Sequence, residues 1–432
     1  MEKKVKFAMD GLAVEHYLPI PDWLNQQFLE KSIRKHSKRD TIFIQSFSIV
    51  PATAKGENFA SAMFRVKVSY HFGDEEKRNE SFIIKTESDD GVLLLNDLNV
   101  YEKELEMYEQ ILPKLRRLLD NAGHNGELFA ATMYVSFSKK AIVFEDLAQK
   151  AYKIPSSKSG MDMIHTKVFL KKLAKFHATC AVLEEQQPGV FKNFQNGKET
   201  NDPHQTQSSN GKINLNKQTV GTLLWSDITG MLNRSTTTFH QMYLNMLSTI
   251  ISVISTWKDY DYYVDKLTKL RGNLIEKGRR AYDPKPHHFN TLIHGDMWVN
   301  NTMYTYNANN EPEKMMLVDF QYCCWTSPTI DLHYFMNTSL RNELRLNHQE
   351  ELLQIYHSEL ARMLASLQYK KHIPSLHELY IQFIENNFYA FVSSMLIQPL
   401  QINENCEDAD LFAIFGNGEK PERKITNLIK KN

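Results

Sequence analysis

The chain has 432 residues, 42% of them hydrophobic and 24% charged, which is the make-up of an ordinary soluble protein with material for two or more cores. Lys+Arg and Asp+Glu both number 51, so the overall charge gives no reason to expect a nucleic-acid partner or an anionic membrane. The charged opening Met1-Glu2-Lys3-Lys4-Val5-Lys6 leads into no apolar stretch, no run approaches the ~20 residues of a membrane span, and Cys180, Cys323, Cys324 and Cys406 have neither zinc-site nor disulfide-framework spacing, so a reducing, cytoplasmic location is expected.

In chain order, Pro21-Asp22-Trp23-Leu24 predicts a helix to about His36 whose apolar face is Trp23, Leu24, Phe28 and Ile33. Strands follow over Thr41 to Ile49 and Ser61 to Phe72, the second with clean alternation. Between them Lys55-Gly56-Glu57-Asn58-Phe59-Ala60-Ser61 stands where a nucleotide kinase folds a hairpin over phosphates. With one glycine, phosphate contact there falls to backbone N–H groups plus Asn58 or Ser61, and the stretch reads equally as a plain hairpin turn. A third strand, Glu80 to Thr86, ends in Phe82-Ile83-Ile84-Lys85.

The next helix, about Leu98 to Leu112 and stopped by Pro113, has the apolar stripe Tyr101, Leu105, Tyr108 and Leu112, with Glu104 inside it. A carboxylate on a buried stripe needs a partner, and Lys85 is the obvious cation; otherwise Glu104 sits at the stripe edge and reaches water. Leu128 to Phe137 and Lys140 to Phe144 read as two more strands, and Glu145-Asp146-Leu147 then reads as a hinge between lobes or as a plain connecting loop.

A long helix from Met161 to Leu183 carries His177 on its inner side as a hydrogen-bonded core histidine. Glu184 to Thr219 is polar and reads as a flexible insertion. Helices resume over Thr237 to Trp257 and Tyr260 to Ala281, and later over Asn347 to Gln368 and Ser375 to Leu396.

The chemistry is concentrated in Leu292-Ile293-His294-Gly295-Asp296-Met297-Trp298-Val299-Asn300-Asn301. Asp296 and Asn301 have the spacing of a phosphoryl-transfer catalytic loop, in which the acid takes a hydroxyl proton and the amide oxygen holds magnesium. Asn301 to Tyr306 and Lys314 to Val318 predict a β-hairpin; if Tyr306 pairs with Lys314, Asn301 faces Asp319 and two hard oxygen ligands meet. Asp319-Phe320-Gln321 is similar to the metal-binding Asp-Phe-Gly of kinases. Asp331, in the first turn of the helix after Ser327-Pro328, reads as a helix cap.

These stretches together resemble the aminoglycoside phosphotransferase and choline kinase group, and more closely the ecdysteroid kinase-like family of insects. The phrases that carry the resemblance run from Gly56-Glu57-Asn58-Phe59-Ala60-Ser61 through Glu145-Asp146-Leu147 and Leu173-Ala174-Lys175-Phe176-His177-Ala178 to His294–Asn301, Val318-Asp319-Phe320-Gln321 and Asp331-Leu332. The resemblance implies an α+β, two-lobed protein-kinase-like fold: a small antiparallel-sheet lobe with one helix over residues 1–146, and a larger, mainly helical lobe over 147–432.

It implies Asp296 as catalytic base, Asn301 and Asp319 as Mg2+ ligands, Lys85 with Glu104 on the ATP phosphates, and backbone at Glu145 and Leu147 on adenine. His294 and Asp331 would brace the loop. The expected protein is a monomeric ATP-dependent kinase acting on a small apolar alcohol, such as an ecdysteroid or a hydroxylated xenobiotic. The alternatives are a choline/ethanolamine-type kinase and a catalytically silent, kinase-shaped binding protein. A protein kinase is disfavoured, since no Arg stands between His294 and Asp296 and no Ala-Pro-Glu follows Asp319.

Overall fold

A computed structural model of the chain describes residues 20–52, 61–87, 100–126, 128–137, 141–155, 160–194 and 237–398. Helix α1, Gln26–Ser37, starts later than expected, because the Asn25 side chain accepts the Phe28 N–H at 3.2 Å and caps it, leaving Pro21 to Asn25 as a lead-in turn. Five strands form one antiparallel sheet in the order β1-β2-β3-β5-β4: β1 Phe43–Pro51, β2 Ser61–His71, β3 Arg78–Glu87, β4 Met133–Phe137 and β5 Ala141–Glu145. The alternation in β2 does its expected job, packing Phe64, Val66, Val68 and Tyr70 with Leu29 and Ile33 of α1.

The opposite face carries the link to the rest of the molecule. In β5, Val143 joins the α1 side while Ile142 and Phe144 join the large second core, so this uninterrupted apolar strand is covered on both faces. Helix α2, Val100–Glu106, widens into a π turn at Met107–Ile111 and continues as α3, Leu112–Asn121. The expectation that the helix stops at Pro113 therefore fails. Pro113 lies in the first turn of α3, where a proline's missing N–H is cheapest.

The helical lobe is built on α4, Met163–Gln186, whose Phe169, Leu170, Leu173, Phe176 and Val182 are fully buried. After it come α5 Thr237–Ile254, α6 Asp261–Arg271 and α7 Leu274–Tyr282, the last two separate where one helix was expected. Two short β-ribbons hold the functional loops: β6 Thr291–Ile293 pairs with β9 Cys324–Thr326, and β7 Thr302–Tyr306 pairs with β8 Pro312–Leu317. Helices α8 Thr329–Thr338, α9 Asn342–Asn347, α10 Gln349–Ser366, α11 Leu376–Glu385 and α12 Phe388–Phe391 complete the lobe, α10 lying along α4.

The polar stretch expected to be an insertion from Glu184 belongs in part to this core. Helix α4 runs on to Gln186, Glu184 accepts the N–H groups of Gly189 and Phe191 at 2.8 and 3.3 Å, and Phe191 and Phe194 are fully buried, Phe191 stacked on Trp325. Three apolar residues, Val190, Phe191 and Phe194, outweigh polar neighbours that dominate the composition. Residues 195–219 lie outside the described residues.

His333 on α8 is buried, stacks on Phe383 of α11 at 3.8 Å and donates Nε2–H to the Phe383 carbonyl at 2.8 Å, while its Nδ1 has no partner. Burial lowers its pKa to about 4 from the ordinary 6.5, only partly offset by the bond to Phe383. A folded-state value below the unfolded one means that the stability is fully present above pH 6.5 and is lost as pH falls toward 4. By pH 5.5 this one group should cost about 1 kcal/mol. Urea midpoints taken from pH 7.5 to 5 should therefore fall less steeply for His333→Gln than for the parent; parallel slopes would show that the imidazole is not held neutral.

Candidate active site

The strand β3 delivers Lys85 to the face opposite α1, and the α2 stripe brings Glu104 to meet it. The Lys85 Nζ lies 2.6 Å from Glu104 Oε2 and 2.8 Å from Asp319 Oδ1. Lys85 and Glu104 are both buried, which settles the choice left open by the stripe: Glu104 does not reach water. Burial by itself lowers the Lys85 pKa, but the Asp319 and Glu104 carboxylates more than offset it and hold the ammonium above its usual range. Burial pushes Glu104 up to about 7, an effect opposed by Lys85 and reinforced by Asp319.

The stretch His294–Asn301 leaves β6 and turns at Gly295, where φ is +84° and an added Cβ would stand 2.2 Å from the Tyr322 carbonyl oxygen; only glycine fits. Asp331 of α8 fixes this turn, accepting the N–H groups of His294 at 2.8 Å and Gly295 at 2.9 Å. It also accepts Nε2–H of His177 at 3.2 Å, and the His177 Nδ1 takes a hydrogen bond from the Tyr356 hydroxyl at 2.7 Å. His177 is thus a partnered core histidine, as read from the sequence. The cap reading of Asp331 is corrected: its carboxylate faces the loop rather than its own helix end, and Pro328 stands at the cap position. His294 donates Nε2–H to the Val318 carbonyl at 3.0 Å, tying the loop to the strand before Asp319, and burial lowers its pKa.

Asp296 emerges half-buried from this brace. Asn301 donates from Nδ2 to Asp296 Oδ2 at 2.9 Å and to the Asp296 carbonyl at 2.8 Å, and the Tyr334 hydroxyl donates to Oδ1 at 2.6 Å. Burial pushes the Asp296 carboxyl up to about 7, with the charges of Asp319 and Asp331 adding and the bonds from Tyr334 and Asn301 opposing.

The hairpin register differs from the expectation by one residue. Thr302 pairs with Leu317 and Thr305 with Lys314, with an irregularity at Thr305/Tyr306, so Asn301 meets Val318, whose N–H donates to the Asn301 carbonyl at 3.1 Å. Asp319 still comes near the hairpin end because it turns back in the left-handed region, at φ +69°. Its second oxygen accepts Nε2–H of Gln321 at 3.1 Å. The chemistry of this donor set suits a hard cation: the Asn301 amide nitrogen is spent on Asp296, which leaves its oxygen as the ligand atom, and each Asp319 oxygen retains a lone pair.

On the sheet side, Ser61 opens β2 opposite Glu87, two rungs beyond the Met63/Lys85 pair. Asn58 lies outside the described residues. The Glu145 N–H donates to the Thr132 carbonyl at 2.9 Å, so it is not a free donor for adenine, and the Glu145 side chain accepts the Thr132 N–H at 2.6 Å and pairs with Lys150. Leu147 opens a 3-10 turn and its carbonyl accepts from Tyr152 N–H at 3.1 Å. Sequence reasoning missed Asp146, which ties this segment to the sheet through Arg65 Nε at 2.8 Å and Ser81 Oγ at 2.7 Å, partners 81 and 65 residues away. It did not foresee that Gln321 donates to Asp319 two residues before it, or that Tyr334 donates to Asp296, since neither partnership has a signature in spacing.

A family model for the ecdysteroid kinase-like family matches residues 55–226 and 226–369, well over half of the chain. The chain belongs to the ecdysteroid kinase-like family. Family membership supports small-molecule kinase chemistry at this cleft. Among solved structures, the chain is similar to an ethanolamine kinase of Plasmodium vivax, at 14% identity over 82% of each chain with a TM-score of 0.33. It is also similar to a choline/ethanolamine kinase family protein of Mesorhizobium loti, at 12% identity over 88% of this chain and 92% of that one, with a TM-score of 0.31. No curated protein matches the chain.

Removing Lys85 leaves Glu104 and Asp319 facing each other without a counter-ion, and breaking such a buried pair costs about 3–5 kcal/mol. Lys85→Met should lower the urea midpoint accordingly, and Lys85→Met with Glu104→Leu should recover part of the loss. A single variant as stable as the parent would show that the triad is not formed.

Proposed function

We propose that this family member is an ATP-dependent kinase that transfers the γ-phosphoryl group to a hydroxyl of a small apolar alcohol, such as a hydroxylated steroid or xenobiotic. The observation that carries the reading is the meeting of Lys85 with Glu104 and Asp319 on one side of the cleft and of Asp296 with Asn301 on the other. In this reading the sheet lobe, about residues 1–146, binds ATP, and the remainder carries the catalytic loop and acceptor pocket of a cytoplasmic monomer.

Lys85, oriented by Glu104, holds the phosphates, with Ser61 at the same edge of the sheet and Asn58 as a further phosphate contact, while the backbone of Leu147 and Glu145 meets adenine, Leu147 supplying the N–H. Asn301 and Asp319 hold magnesium, which when bound neutralises phosphate charge. Asp296 orients the acceptor and takes its proton as the acceptor oxygen bonds to the γ-phosphorus and the bridge to ADP breaks. A base poised near neutrality suits that task.

The acceptor class is read from the side chains that surround Asp296. Tyr243, Tyr334 and Tyr389 with Met246, Leu247, Trp298, Tyr322, Phe388 and Phe391 form the cluster on the Asp296 side. Burial and the nearby Asp296 charge keep the phenols of Tyr243, Tyr322 and Tyr389 protonated and neutral. Phe383 belongs to the core around α4, and Trp325 and Tyr380 pack, partly buried, against that core. Neutral, mostly apolar surroundings suit a sterol-like or aromatic alcohol better than a quaternary cation.

Asp319→Ala should abolish transfer in a protein that still folds, with a lowered melting temperature because Lys85 and Gln321 each lose a partner, and Asp296→Asn should bind ATP nearly as well as the parent while turning over about 10²-fold more slowly. Full activity in the first variant would sink the metal assignment, and equal loss of affinity and turnover in the second would give Asp296 another task. Hydroxylated steroids or xenobiotics should stimulate ATP turnover more than choline does. Choline outpacing every apolar alcohol tested would overturn the acceptor assignment in favour of a choline-type kinase.

A further inference from the structure

The three points at which helix α8 and its end touch the catalytic loop lie in loop order. Asp331 accepts from the backbone of His294 and Gly295, Tyr334 donates to the Asp296 side chain, and the Ser339 Oγ accepts the Val299 N–H at 3.0 Å. Asp331 and Tyr334 are three residues apart and therefore share a helix face. Asp331 and Ser339 clamp the backbone on either side of Asp296, which leaves the carboxylate's own rotation as the remaining freedom. A carboxylate held through one oxygen swings about its Cβ–Cγ bond. Here Asn301 holds Oδ2 and Tyr334 holds Oδ1.

From this geometry we propose that Tyr334 is a positioning residue for phosphoryl transfer, its hydroxyl fixing the Asp296 carboxylate in the one orientation that receives the acceptor alcohol. The inference rests on the reading of Asp296 as the base. Each carboxylate oxygen keeps a further lone pair, so the hold does not displace the incoming hydroxyl. Tyr334 is itself immobilised: it is buried, and its ring lies 6.2 Å from that of Tyr389, whose oxygen accepts a hydrogen bond from the Tyr282 hydroxyl at 2.8 Å. Burial and the adjacent Asp296 charge keep its phenol protonated and hence a donor.

The test uses the full-length protein with magnesium and ATP alone, water serving as phosphoryl acceptor, so that no unidentified alcohol enters. Tyr334→Phe removes the hydroxyl and retains the ring. It should lower kcat about 10-fold, the scale of a slightly misplaced group, with the KM for ATP and the melting temperature unchanged. In an Asp296→Asn background the same substitution should do nothing more, because the group it positions is gone. Parent-like kcat in Tyr334→Phe, or losses that simply multiply in the double variant, would overturn the proposal while leaving Asp296 as base. Parent-like kcat in Asp296→Asn alone would bring down both readings.

Discussion

The ammonium of Lys85, held between Glu104 and Asp319, is the interaction on which the two halves depend for their relation. One partner comes from a strand of the sheet, one from the helix packed on that sheet, and one from the loop after β8 in the helical lobe. Two carboxylates and one ammonium removed from water are costly unless their geometry is good, so the contact does little for stability by comparison with an apolar core. What it provides is position: β3, α2 and the Asp319 turn can approach only in the arrangement that satisfies all three charges. The apolar contacts of Tyr108 with Phe144 and Phe320, at 4.8 and 5.8 Å, close the same gap from the dry side.

The helical side is governed by a second buried carboxylate. Asp331 is fully buried and accepts two successive backbone N–H groups of the loop together with a histidine of α4. Three charge-assisted bonds compensate its desolvation, two of them holding the loop and one tying it to α4, so the sharp turn at Gly295 is determined from outside as well as by its own φ. Catalytic side chains on a loop gain the precision of a helix in this way, because the loop is fastened to α8 at several points.

The fold was legible where local patterns repeat. Alternation in β2, the apolar run of β5 and the amphipathic α4 each bury the residues their period selects, and the Lys85–Glu104 pair followed from an acid standing in an apolar stripe. Less was legible where a contact depends on distant residues. The hairpin register slipped by one because the irregularity at Thr305/Tyr306 has no strong sequence signal, and the α2 helix ran past Pro113 because a π turn moved the proline into a tolerant position. The partners of Asp146 and Tyr334 were not foreseen, since packing sets them; Val190 to Phe194 was passed over because composition averaged out three apolar residues.

The segment after Asp319 shows what the departure from Asp-Phe-Gly does physically. In a sequence with glycine, the backbone there can exchange between two arrangements, which is how some protein kinases switch. Here Gln321 is buried and its amide holds the Asp319 carboxylate, and Phe320 is fully buried against His294, Phe176 and Tyr108. Turning the segment over would expose a phenylalanine, worth about 2 kcal/mol or more, and would break the Gln321 and Lys85 bonds to Asp319 together. A two-state switch needs arrangements separated by only a few kcal/mol. These losses add in the same direction, so the segment is built to stay in one state.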